Sequence, residues 1–137
     1  MARVDWRHAL VWSLLGLGNA LLFTFTKLDP MPVELMVWFV VYAVWYVVLM
    51  RRRPAAPVAQ ALATSLLSAV WVAGVQNALY TTFVANHPEY AAEYGSLSTA
   101  ARVGITSFTA AAFGLVLGTI LGFIVRWRLK AVEAGGR

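Results

Sequence analysis

The sequence has no cysteine, few charges and no proline inside its apolar stretches, and each absence narrows what the chain can be. Without cysteine there are no disulfides, no thiol nucleophile, no thiolate metal site and no iron–sulfur ligation. Quinone-linked thiol oxidation, a job of some small membrane bundles, is excluded with them. Charged residues make up only 12% of the chain, against roughly 25% in a soluble domain. Hydrophobic residues reach 61%, against roughly 45–50%. A soluble protein of this composition would expose large adhesive patches. A bilayer is the solvent that suits it.

No ionisable residue lies well inside any apolar run, so the buried acid, base or arginine of proton relays, voltage sensors and coupled pumps is missing. No repeat relates the two halves, which counts against the inverted-repeat transporters. No low-complexity segment is present.

What remains is four apolar runs, Ala9–Thr26, Val33–Met50, Val58–Ala85 and Val103–Val125. Each matches or exceeds the roughly 18–20 residues that cross a hydrocarbon core. They predict spans at about 9–26, 33–50, 58–85 and 102–126 in one transmembrane domain of 137 residues. The third is long and is expected to tilt or to continue past the membrane. All five prolines (Pro30, Pro32, Pro54, Pro57 and Pro88) fall between the runs.

The positive charges orient the spans. Nine (Arg3, Arg7, Arg51, Arg52, Arg53, Arg126, Arg128, Lys130 and Arg137) share one side, and two (Lys27 and Arg102) the other. The expectation is an all-α, four-helix integral membrane protein with both ends cytoplasmic, in a bacterial cytoplasmic membrane. The net charge of +5 sits in short clusters beside apolar runs. That placement points to anionic lipid headgroups rather than nucleic acid. Arg3 and Arg7 precede an apolar run, as in a signal peptide, but Gly18-Asn19-Ala20 is a poor cleavage site.

The outer loop has its own pattern. Asn86 or His87 can cap a helix, Pro88 suits its first position, Glu89 favours its positive end and Gly95 ends it. Tyr90 and Tyr94 share one face. This is either an interfacial helix anchored by tyrosines or a lid over an outward-facing cavity.

Small residues form rows. Gly114, Gly118 and Gly122 make a doubled GxxxG in span four, continuing the row Thr106, Ala110. Span three carries Ala61, Ser65, Ala69, Ala73, Asn77 and Thr81, and span one Gly16, Ala20 and Thr24. Such rows let helix backbones approach closely in lipid. They build either the monomer or an oligomer seam. Span two is bulky all round and is expected to face lipid or a partner.

Uncharged polar groups share a layer in the outer half: Asn19 and Thr24 in span one, Gln76, Asn77 and Tyr80 in span three, Thr106 and Thr109 in span four. They either bond one another or line an outward-facing polar cavity, with Thr26, Lys27, Asp29, Glu34 and Arg102 at its mouth.

No catalytic, metal-binding or cofactor constellation is present. His8 and His87 lie on opposite sides of the membrane, and Ser13, Ser65 and Ser68 have no base at their depth. Trp45 and Trp71 lie deep enough to fill the bundle or to pack a pigment or lipid. In size and span count the chain resembles the small multidrug-resistance transporters and the small fluoride channels. It departs from both, with Asn19 and no acid in span one, and with Thr81-Thr82-Phe83 at the end of span three. The sequence therefore favours a non-enzymatic membrane protein acting through helix association, as a homo-oligomer or a subunit of a larger complex. The alternative is a small channel or facilitator for a polar solute or ion.

Overall fold

A computed structural model describes residues 3–28 and 30–135. Arg137, in the count of positive charges, and Asp29, at the expected cavity mouth, lie outside the described residues. The described chain is helical and contains no strand. Helix α1 spans Trp6–Phe25, α2 Leu35–Arg52, α3 Pro57–Ala78, α4 Tyr80–Asn86, α5 Pro88–Tyr94 and α6 Thr99–Gly135. Among the described residues, four helices are long and apolar enough to cross a membrane: Trp6–Phe25, Pro32–Arg52, Pro57–Ala78 and Thr99–Gly135. The chain is read on that ground as a multi-pass membrane protein.

Local chemistry explains the boundaries. Asp5 caps α1 by accepting the His8 backbone N–H at 3.0 Å. A wide π-type turn at Pro30–Glu34 leads directly into α2. That helix stops at Arg53, which adopts the left-handed conformation (φ 48°) ahead of Pro54. Pro57 and Pro88 open α3 and α5, where a missing N–H costs nothing.

Two spans differ from their sequence limits. The third is not one continuous helix to Ala85. It breaks at Leu79 (φ −110°, ψ 29°), although no proline or glycine stands there. The Asn77 side chain bonds the Ala73 carbonyl at 2.8 Å just before the break, and such side-chain competition for the backbone bends helices. The fourth runs on to Gly135 as one helix of 37 residues, about 55 Å long, more than a bilayer core needs.

Helix α3 is the centre of the bundle, with α6 on one face and α1 on another. The small-residue rows explain why. A Cβ built at Gly118 would lie 2.8 Å from the Ser65 Cβ, and one at Gly122 would lie 2.6 Å from the Val58 Cα. At Gly114 it would meet the Ser65 carbonyl oxygen at 3.1 Å and the Ala69 Cβ at 3.2 Å. Gly16 of α1 meets Ser68 in the same way, at 2.6 Å. Ala69 and Ala73 are buried in α3. These rows are occupied inside one copy of the chain.

Helix α2 has no such row and makes few contacts. It meets the bundle mainly near the end that carries the arginine clusters, here the basic end. There Val41, Trp45 and Leu49 form a core with Ala61, Leu121 and Val125. Its other face exposes Met36, Phe39, Val40 and Val47.

Polar bonds cross the basic half of the bundle as well as the opposite half. The Gln60 amide accepts the Asp5 N–H at 2.8 Å and donates to the Asp5 carbonyl at 3.0 Å. Ser68 Oγ donates to the Ser13 carbonyl at 3.1 Å, and Trp71 Nε1 donates to Ser13 Oγ at 3.1 Å. Trp45 Nε1 donates to the Trp12 carbonyl at 3.0 Å. The polar groups are therefore not confined to one layer, because α1 and α3 pack closely along their length and serine fits the narrow seam.

Candidate functional site

Bulk in α2 and smallness in α3 and α6 together create a cavity. The α3–α6 pair is held at close range by glycine and alanine. Helix α2 cannot follow it, and away from the basic end a cavity of about 400 Å³ opens between the three helices. Ligand sites commonly measure about 300–1,000 Å³ and are mostly apolar with a few polar groups. This one fits that description.

Its walls are largely aromatic. Trp38 and Tyr42 come from α2, Phe83 from α4 and Phe113 from α6, with Ala69, Val72, Ala110, Gly114 and Leu117 filling between them. Tyr42, Ser65 and Leu117 are the lining residues nearest the basic end on their helices. Tyr42 OH and Ser65 Oγ share a hydrogen bond of 2.6 Å across this floor. Beyond it lies the packed cluster around Trp45, whose ring meets Tyr42 edge-on at 4.8 Å. The cavity is a dead end on that side.

The roof is α5. Tyr90 and Tyr94 line the cavity and stack with ring centroids 6.1 Å apart, and Phe83 meets Tyr90 edge-on at 5.2 Å. The α4–α5 corner is fastened to the end of α1. Asn86 Nδ2 donates to the Thr24 carbonyl at 2.9 Å. His87 is only 2% exposed, and its Nε2 donates to the Phe23 carbonyl at 2.7 Å, since a carbonyl only accepts. Its Nδ1 lies 3.6 Å from Glu89 Oε1. Burial pushes the Tyr90 phenol above its ordinary range, and the Glu34 charge adds to the shift.

Two charged side chains line the cavity from opposite helices. Glu34 sits half-buried at the start of α2, where Oε1 accepts a long bond from Trp38 Nε1 at 3.4 Å. Arg102 sits near the start of α6 with its guanidinium 3.7 Å from the centroid of the Tyr80 ring. Its Nε is buried and has no hydrogen-bond partner. Among the described residues neither Glu34 nor Arg102 forms a salt bridge. The cavity reaches the surface of the bundle: Leu35 of α2 and Phe113 of α6 both line it and are 63% and 60% exposed.

The seven residues of the sequence-predicted polar layer divide into two groups. Gln76, Tyr80, Thr106 and Thr109 line the cavity. Asn77 stands behind the wall and donates to Thr106 Oγ1 at 2.8 Å, while its own Oδ1 is buried without a partner. Asn19 and Thr24 lie on α1, which contributes nothing to the lining. Thr24 donates back to the Ala20 carbonyl, and Asn19 Oδ1 is buried without a partner. Depth along a helix is legible in a sequence, but azimuth is not. Neighbouring residues point about 100° apart, so Gln76 lines the cavity while Asn77 does not.

Of the expected mouth, Glu34 and Arg102 line the cavity, Thr26 and Lys27 do not, and Asp29 lies outside the described residues. Sequence reasoning missed the inward faces of Trp38 and Tyr42, because span two looked bulky on every side. Their spacing of four on one helix was the available signal. Trp45 and Trp71, considered for a pigment or lipid, bond bundle atoms through their indole N–H groups.

No group of three or more histidine, aspartate or glutamate side chains able to hold a metal occurs among the described residues. Comparison with known proteins yields no match: no family model, no curated protein and no solved structure matches the chain.

Proposed function

We propose that this is a non-enzymatic membrane protein that binds an amphiphilic molecule drawn sideways from the bilayer into the cavity between α2, α3 and α6. The observation that carries the reading is the combination of an aromatic chamber with a closed floor and two exposed lining residues, Leu35 and Phe113, on two of its helices. An apolar chain in contact with lipid enters such a chamber without crossing water. The floor of Tyr42 and Ser65 favours binding over conduction, so the channel reading is the weaker one.

Association is the second reading. Because the glycine rows are used between α3 and α6, it rests instead on the exposed bulky face of α2 around Met36 and Phe39. That face is where a second copy or a larger membrane complex would dock. The distribution of arginine and lysine supports a reading in which the basic end faces the cytoplasm of a bacterial cell, against anionic headgroups.

Native mass spectrometry from lipid nanodiscs tests the binding reading. The wild-type chain should retain a bound lipid. Ala110→Trp, which fills the chamber from α6, should lose it while keeping helical content. A wild type that carries no lipid, or an unchanged retention in Ala110→Trp, sinks the proposal.

A further inference from the structure

The chamber is apolar and aromatic, yet it holds one carboxylate and one guanidinium that do not pair with each other. Each loses hydration there, and a charge out of water is stable only when it is matched. Glu34 has a single long bond from an indole. Arg102 is partly matched by the Tyr80 face, but its Nε is a buried donor with no acceptor. The two groups come from different elements, Glu34 from the start of α2 and Arg102 from the start of α6. Around Glu34 stand Trp38, whose indole reaches it, and Tyr90, whose phenol feels its charge. A carboxylate beside aromatic faces suits an ammonium group, because the ring quadrupole attracts a cation. A guanidinium that forms no hydrogen bond or salt bridge with the described residues suits a phosphate, whose oxygens accept from its planar fork.

Resting on the binding reading above, we propose that the occupant is a zwitterionic lipid, its ammonium group against Glu34 and the adjacent aromatic rings and its phosphate on Arg102. The acyl chain leaves past Leu35 and Phe113, where both helices meet lipid. The charges therefore set headgroup selectivity, and the aromatic walls supply the apolar contact common to any amphiphile. An anionic lipid would leave Glu34 unmatched and repelled. A cationic amphiphile would do the same to Arg102.

The probes are four: dodecylphosphocholine, dodecyl phosphate, dodecyltrimethylammonium and chainless phosphocholine. Binding to the full chain in maltoside micelles is read by Trp38 fluorescence, with the other five tryptophans replaced by phenylalanine. Dodecylphosphocholine should bind at least about tenfold more tightly than either probe that carries charge of one sign alone, the size of one charge-assisted contact. Chainless phosphocholine should bind far more weakly still; if it binds as tightly as the chain-bearing probe, the site takes a free zwitterion and the lipid assignment is wrong. Glu34→Gln should erase the preference over dodecyl phosphate, and Arg102→Gln the preference over dodecyltrimethylammonium.

Equal affinity for the three dodecyl probes overturns the zwitterion inference and leaves the binding reading standing. No response to any dodecyl probe, with Ala110→Trp indistinguishable from the parent, overturns both. The probe series on the parent decides the matter even if a charge variant fails to fold. Folding of the tryptophan-reduced parent is checked by circular dichroism, and native mass spectrometry of the unmodified chain repeats the same ranking.

Discussion

Gln60 does at one position what a backbone does along a helix. Its amide pairs with both the N–H and the carbonyl of Asp5, the residue that caps α1, and is almost fully buried there. Gln60→Leu keeps the apolar bulk and strands a backbone donor, which costs about 1–3 kcal/mol when it is out of reach of water. Denaturation in mixed micelles should show a loss of that size; an unchanged midpoint would mean that water or lipid reaches Asp5. Tyr90 offers a second test at this scale. Burial raises its phenol pKa and the Glu34 carboxylate adds to it. The neutral phenol is therefore the form the fold prefers. The stabilisation it contributes is fully present below the ordinary tyrosine range and is lost as pH rises through the raised value. Absorbance titration near the phenolate band should show a late-ionising fraction of the tyrosines, and Tyr90→Phe should make that fraction smaller by one residue.

Among the elements, the contrast between α2 and the α3–α6 pair decides the architecture. Helices in lipid gain little from apolar contact alone, so close approach selects which pairs form. Gly122 touches the backbone of Val58 so closely that one added methyl forces a shift. Gly122→Ala should cost about 1–3 kcal/mol through overpacking. Gly104, on the same helix, has open space around it, and Gly104→Ala should be neutral or slightly stabilising. Unfolding measurements on the two variants check the pair. If Gly122→Ala changes subunit number without changing monomer stability, the glycine row works between copies and not within one. The break at Leu79 belongs to this scale too. It lets α4 turn toward α1, where Asn86 and His87 fasten the roof.

For the whole molecule, exposure in the fold predicts contact with lipid. Trp6 and Trp127 are 64% and 66% exposed, whereas Trp45 is 2% exposed. In single-tryptophan variants, brominated lipids should quench Trp6 and Trp127 strongly and Trp45 weakly. Equal quenching of Trp45 would mean that α2 does not pack as described. Orientation has its own assay, helped by the absence of native cysteine. With Ser96→Cys and Ala55→Cys, an impermeant thiol reagent applied to intact cells should label only the first.

The number of long apolar helices, the loops between them and the short helix after Pro88 were legible in residue order alone. They depend on local quantities: how many apolar residues follow one another, where proline interrupts them and where charge collects. The row Gly114, Gly118, Gly122 was equally plain, because spacing along one helix is a one-dimensional property. What only the tertiary structure decided was the partner of each row and the direction of each polar side chain. Gly118 against Ser65, Gln60 against Asp5 and the separation of Asn19 from Gln76 depend on how whole helices rotate and cross. That rotation is set by the fit of several side chains at once, so no single segment contains it. The cavity arises in the same way, from the mismatch between two helices that pack closely and a third that cannot.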